Sequence, residues 1–401
     1  MVTLIRIQPW SIIVANLYKV LVLVILGLIP CYLFFYIEVS DELVRCAIFN
    51  KRKCNYVVEL AVSVNRHGEY ALAQRVKHSM AKLGWEYYIH KPNDKIVSLP
   101  IIKQFALSLD WLLGKYFKPE FILVLNDHAE MTWSKPKYLY VNVYPDFFIT
   151  INNQFHKDYV KEFDGYVDLN MYGKAEDKYV WLKNALESNN KENFVIMRGI
   201  LAMPDVEYQQ AQVNKIIFVG TTWGAWRSGR KHSKLVMELA KQEDMDVYGA
   251  GLAWEFLGDS YRGAISEKDF YILIAKIRDY GVALCTHTLD HLDAGIPTNR
   301  VFEAIAAGAI PIVDQNYFIT KEFGDNVLYI DQNDSFSNIL EQVNKHLLWL
   351  RNHPSAVRVM AKKNYDLAMA KFNITTHLLN IRRMHNYFKN HNFEGRHILY
   401  D

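Results

Sequence analysis

The chain has 401 residues, enough for two domains of ordinary size, and at 51% hydrophobic and 22% charged it is excluded from the disordered class. Its 46 basic and 43 acidic residues leave a net charge of +3, which makes no case for nucleic-acid binding. Cys31, Cys46, Cys54 and Cys285 form no CxxC pair and no zinc spacing with histidine. They read as free thiols, although Cys46 and Cys54 are close enough in sequence to pair under oxidation.

Val20 to Val39 is apolar but for Glu38, and with Ser11–Leu17 upstream it approaches the length of a membrane-spanning helix. Trp10, Tyr32 and Tyr36 would then lie at interface depth. Arg6 and Lys19 precede the run, while Arg45, Lys51, Arg52 and Lys53 follow it, which favours a cytoplasmic body. Two Asn-x-Ser/Thr triplets, at Asn333 and Asn373, suit a luminal one instead.

Tyr56–Val64 predicts a strand, Asn65–Glu69 a loop, Tyr70–Leu83 a helix ending at Gly84, and Trp85–His90 a second strand, together a βαβ start. Phe121–Leu125, Tyr138–Val143 and Tyr166–Leu169 predict further buried strands. In open α/β sheets ligands bind beyond the carboxyl ends of strands, so His67, Asp127–His128 and Asp146 lie at candidate positions. The polar stretch Pro204–Asn214 reads as a linker.

Lys215–Val219 opens a second α/β unit. Its strand runs into Gly220-Thr221, followed by Arg227, Arg230 and Lys231 ahead of a helix over Lys234–Lys241. Glycines and cations in that order suit a phosphate loop, although neither Walker A nor GxGxxG spacing is present, and a solvated basic loop would look the same. Asp246–Ala250 and Val282–Cys285 predict strands, and Asp269–Tyr280 a helix. Asp244-Met-Asp246 has a DxD form but falls between a helix and a strand, so it reads as a surface turn with no required metal.

Thr286–Asp314 is the most informative stretch. Thr298 predicts an N-cap, Asn299–Ala307 a helix apolar almost all round, Gly308 its C′ residue, and Ala309–Val313 a strand buried on both faces, with Pro311 near its start. Glu303 breaks the apolar pattern, and a lone carboxylate there would be costly. Asn299, Arg300 and Glu303 share one side of this helix. A helix N-terminus with Arg300 suits a diphosphate, and a carboxylate one turn further in suits a ribose diol. An internal Arg300–Glu303 ion pair accounts for the same residues equally well. From Ser335 onward the chain reads as helical. Pro354 ends the first helix, Ser355 is a candidate cap for a second, and Thr376–Asn390 predicts a third.

The segment PTNRVFEAIAAGAIPIV resembles the nucleotide-binding signature in the C-terminal half of GT-B glycosyltransferases, closest to the group-1-like, spore-coat-type and exostosin-like versions. The resemblance is specific over Lys215–Asp331. It implies an α/β, GT-B architecture of two Rossmann-like domains facing a cleft, with Glu303 on the ribose of a sugar nucleotide. Many retaining members carry a second glutamate eight residues earlier. Here that position is Gly295, so the stereochemical outcome does not carry over.

The expected organisation is an anchor over 1–54, an acceptor domain over 55–205, a nucleotide-sugar domain over 213–334 and C-terminal helices over 335–401, which in such enzymes often return to the first domain. The expected activity is transfer of a sugar from a nucleotide-sugar donor to a hydroxyl of a glycan or lipid-linked acceptor, at a membrane, without metal or other cofactor. Donor binding is assigned to Gly220, Thr221, Arg227, Arg230, His287, Asn299, Arg300 and Glu303, and the base to His67 or Asp127. The competing readings are a non-catalytic sugar-nucleotide-binding or scaffold protein on the same fold, and a nucleotide-sugar epimerase.

Overall fold

The structure, a computed structural model, describes residues 37–39, 57–61, 67–90, 118–125, 136–141, 161–169, 180–220, 230–249, 252–265, 270–287 and 289–399. Two sheets with helices packed on them make an α/β fold. Among the described residues the first sheet has eight strands: β1 (Ile37–Val39), β2 (Val57–Ala61), β3 (Glu86–His90), β4 (Phe121–Val124), β5 (Lys137–Val141), β6 (Gly165–Asp168), β7 (Phe194–Arg198) and β13 (Arg396–Leu399). Their order is β1-β3-β2-β4-β5-β6-β7-β13, parallel throughout except for β1. The second sheet has order β12-β11-β10-β8-β9 and is fully parallel. Its strands are β8 (Lys215–Val219), β9 (Met245–Tyr248), β10 (Gly281–Cys285), β11 (Ile310–Asp314) and β12 (Leu328–Ile330). Central strands of both sheets are near-continuous apolar runs, as burial on both faces demands.

Among the described residues the helices are α1 (His67–Lys82), α2 (Val180–Ser188), α3 (Arg230–Lys241), α4 (Phe270–Tyr280), α5 (Leu289–Ala294), α6 (Asn299–Ala306), α7 (Tyr317–Phe323), α8 (Phe336–Asn352), α9 (Pro354–Phe372) and α10 (Ile374–Asn390). A 3₁₀ segment runs over Leu252–Ser260. Ser335 caps α8, its hydroxyl accepting from the Asn338 amide. Ser355 does not cap α9. Pro354 occupies the first turn, where its missing N–H costs nothing, and His353 takes the cap position.

Several expectations need correcting. His67 is not in a loop: it is the first residue of α1. Arg230 and Lys231 do not precede a helix but form the first turn of α3. The stretch before Thr298 is not all loop, since α5 lies within it. The chain does not end in helices alone, because β13 follows α10 and joins the first sheet. Ile37–Val39, at the end of the apolar run, is a strand paired antiparallel with β3. The rest of that run lies outside the described residues. Among the described residues no helix is long and apolar enough to cross a membrane.

The two sheets are joined twice, and the joins lie side by side. The first passes through Met203 on the way from β7 to β8, and the second through Asn373 between α9 and α10. The Met203 amide donates to Phe372 O (3.1 Å), and the Ile374 amide donates to Met203 O (3.0 Å). Asn373 accepts from the Thr376 amide as the N-cap of α10 and is 5% exposed, so its triplet is built into the fold. Beyond the crossing, α10 packs on α1 and β7. The returning helix expected from the resemblance is therefore present. One apolar cluster runs through both halves, from Val58 and Leu72 to Phe302 and Ile305.

Candidate donor site at the amino end of helix α6

Thr298 caps α6: its backbone is extended and its hydroxyl accepts from the Arg300 amide. Gly308 ends the helix with a φ of 70°. A Cβ there would lie 2.0 Å from Gln209 O, so a side chain would collide with the linker. Between these ends Val301, Phe302, Ala304, Ile305 and Ala306 are buried, and so is Glu303.

The approach to α6 is held by two polar side chains from the end of β11. Asp314 accepts from the His287 amide at 2.7 Å and from His287 Nδ1. His287 Nε2 in turn accepts from the Thr298 amide at 2.9 Å. Because Nε2 accepts, the network assigns the proton to Nδ1. Asn316 donates to Ile296 O (3.0 Å) and His291 O (3.3 Å), and it accepts from the Phe318 and Ile319 amides as the N-cap of α7. His287 has a fully buried side chain with both ring nitrogens engaged. It positions the cap of α6 rather than presenting a nitrogen to a ligand.

Glu303 is bound at both oxygens. Oε2 accepts from Arg300 Nη1 at 2.5 Å, on the same helix. Oε1 accepts from Arg75 Nη1, which comes from α1 in the first half of the chain. The Arg75 and Glu303 side chains are 1% and 3% exposed, while Arg300 is 32% exposed. Burial pulls the Arg75 guanidinium below its ordinary range, and the Glu303 carboxylate opposes that pull. Two guanidiniums around one carboxylate leave a local excess of one positive charge at the start of α6. Burial, with the same carboxylate adding to it, pushes the Cys285 thiol far up, so the thiol stays neutral.

Gly220 ends β8. Its amide donates to Tyr248 O (2.9 Å) and its carbonyl accepts from Trp254 Nε1 (3.0 Å). A Cβ on Gly249 would lie 2.1 Å from that carbonyl, so these two strand ends touch through glycine backbone. Both backbone groups of Gly220 thus serve the fold. Asn299 is half-buried in the first turn of α6. Thr221, Arg227 and Asp127, together with the neighbouring His128 and Asp146, lie outside the described residues, and for His67 and Arg230 the backbone alone is described. Asp244 and Asp246 are both paired with cations. Asp244 lies 2.8 Å from Arg351. Asp246 accepts from Arg262 Nε at 3.0 Å and from the Tyr280 hydroxyl at 2.6 Å.

Arg75 is the residue that sequence reasoning missed. A signal for it exists: Leu72, Val76 and Met80 set the apolar face of α1, and Arg75 falls among them at helical spacing.

Residues 227–382 match a family model described as glycosyl transferase-like, a span that contains α3 to α9 with His287, Arg300 and Glu303 but not Arg75 or Gly220. No curated protein matches the chain in sequence. Among solved structures it is similar to α,α-trehalose 6-phosphate synthase from Burkholderia multivorans, at 9% identity over 85% of this chain and 100% of that one, with a TM-score of 0.51. It is also similar to sucrose-phosphate synthase from Thermosynechococcus elongatus, at 10% identity over 84% and 100%, with a TM-score of 0.49. A UDP-forming α,α-trehalose-phosphate synthase from Burkholderia xenovorans matches at 9% identity over 83% and 99%, with a TM-score of 0.48. With a first sheet parallel but for β1, a fully parallel second sheet and a double crossing between them, the chain has an α/β fold like that of the trehalose 6-phosphate synthase and consistent with GT-B, and its second half carries the glycosyl transferase-like match.

Proposed function

We propose that the chain moves a sugar from a nucleotide-sugar donor, held at the start of α6, to a hydroxyl of a glycan or lipid-linked acceptor. The observation that carries this reading is the pairing of the part-exposed Arg300, in the first turn of α6, with a buried carboxylate one turn further in. Transfer breaks the bond between the anomeric carbon and the diphosphate oxygen and forms one from that carbon to the acceptor oxygen. The departing diphosphate gains negative charge, which Arg300, the helix N-terminus and the basic residues Arg227 and Arg230 would offset. The acceptor proton would go to a base on the first half of the chain, with His67 and Asp127 as the candidates. Glu303 would accept from the ribose hydroxyls. With this much positive charge assigned to the site, no metal ion is required of the mechanism.

The test is a screen of nucleotide sugars by thermal shift, followed by a transfer and donor-hydrolysis assay with and without EDTA. A ligand at about 100 times its dissociation constant adds about 2.7 kcal/mol of stability, a readable shift. Turnover that survives EDTA supports the reading. Binding without hydrolysis or transfer would favour a sugar-nucleotide-binding protein, and turnover that needs manganese would overturn the metal-free mechanism.

Membrane attachment belongs to the same proposal and rests on the apolar run before Ile37. The body would face the cytoplasm by its excess of basic residues after the run. Release of the protein from membranes by an alkaline wash would count against it.

A further inference from the structure

We infer that Arg75 is the permanent counter-ion of Glu303, and that Arg300 is the partner which leaves when a donor binds. The inference rests on the donor reading given above and assigns separate roles to two arginines on one carboxylate.

The Glu303 side chain is 3% exposed, with each oxygen bonded to a guanidinium. A ribose diol reaches this carboxylate only if one guanidinium makes room. Arg75 is enclosed, at 1% exposure, in a helix held by α10 on one side and touching α4 on another. Arg300 is 32% exposed and sits at the first turn of α6, where a diphosphate would lie. Arg300 therefore has somewhere to go and something to bind there, whereas Arg75 has neither.

The departure of Arg300 would leave a carboxylate buried without a partner, which is strongly unfavourable. Arg75 removes that penalty. It keeps Glu303 partnered and turned toward the ribose while Arg300 moves its charge to the phosphates. On this account Arg75 is a positioning residue: it touches no reacting atom and acts through Glu303. It also makes the ribose contact depend on the first half of the chain, because Arg75 and Glu303 are 228 residues apart. The contact between α1 and α4 seats that half nearby, with the His78 and Tyr271 rings edge-on at 5.1 Å.

The test uses the full-length protein and calorimetry. Wild type is titrated with ADP, GDP, UDP and CDP, and the tightest of these is compared with its 2′-deoxy form. Wild type should favour the ribose form by about tenfold, the value of one hydrogen bond to a charged group. In Arg75→Met that preference should collapse toward one, and Arg75→Lys should restore part of it. A merely structural Arg75 would weaken both nucleotides alike and leave the preference intact, which overturns the inference. Arg300→Met, at a part-exposed site, supplies an arm independent of core folding. It should keep the ribose preference while bringing the affinity of the diphosphate down toward that of the bare nucleoside. If Arg300→Met abolishes the ribose preference instead, Arg300 holds Glu303 and the roles are reversed. A wild type that shows no preference for ribose would remove the donor reading itself, a failure distinct from that of Arg75 alone.

Discussion

The two halves of this molecule are built on the same plan from differently arranged sequence. The second half is contiguous: its described strands and α6 itself all come from residues between Lys215 and Ile330. The first half is gathered from three places, with β1 from one, β2 to β7 from another, and α10 with β13 from the far end of the chain. In the contiguous half the polar bonds that shape the site are short in sequence, such as His287 to Asp314 and Thr298 to His287. Within the gathered half the decisive bond is long, Tyr138 to His385, and so is the one that ties the two halves together, Arg75 to Glu303. Nearness in sequence thus separates the part of the site that local patterns reveal from the part that only the folded chain creates.

The largest expected effect comes from cutting the bond that joins the halves. Glu303→Gln leaves two arginines facing one neutral amide, and loss of one partner of a buried pair costs about 3–5 kcal/mol. The sequence alone suggests that this swap barely disturbs packing, and the Arg75 contact revises that expectation. Donor affinity, measured at a temperature where the variant is fully folded, should also fall about ten- to a hundredfold. A lowered melting temperature with unchanged affinity on folded protein would make Glu303 a strut only.

Next comes the join within the gathered half. His385 on α10 lies 2.9 Å from the Tyr138 hydroxyl on β5, and burial, aided by Lys389, brings its pKa down to about 4. The unfolded chain takes up that proton near pH 6.5, so the unfolded state binds more protons between pH 6.5 and 4. Stability from this residue is complete above pH 6.5 and is lost as pH falls toward 4, by about 3 kcal/mol. Melting curves across that range should slope for wild type, and the slope should flatten in His385→Phe. An unchanged slope would place the acid sensitivity elsewhere.

Within the contiguous half, Asn316→Ala removes the cap of α7 and the bonds to His291 O on α5 and to Ile296 O in the loop that leads to α6. The cost should be about 2 kcal/mol. Hydrogen exchange should show faster opening of Ile296 and Thr298, with the first sheet unaffected. If opening spreads into the first sheet, the two halves are not separable in this way.

The smallest effect should be at Asp244→Asn, which breaks a part-exposed pair with Arg351. A change of less than about 1 kcal/mol and unaltered transfer activity are expected. Lost activity would return the Asp244–Asp246 pair to consideration as a metal site.

Much of the second half was legible in advance because its signals are local. Thr298 as cap, Gly308 as terminus and the buried strand that follows can be read from a few adjacent residues. The Arg300–Glu303 pair was legible as one of two alternatives, and the structure contains it. His287 was assigned to donor binding, but its bonds were not legible, because both ring nitrogens are claimed by groups 11 and 27 residues away. β13 was not legible, because four residues after a helix acquire strand character only by lying against β7. Arg75 left a trace, a cation on an apolar helix face, but its partner is set by tertiary packing alone.

The doubled crossing has a consequence for the order in which the molecule is completed. A nascent chain emerges from its first residue, and domains commonly fold as they appear. Here the second sheet has all its strands once Ile330 is made, but the first still lacks β13 and α10. Synthesis from Arg198 to Arg396 takes about 10–40 s. For that interval β7 is an open sheet edge, the kind of surface on which strands from other chains can pair. The domain that begins first is therefore the one that closes last.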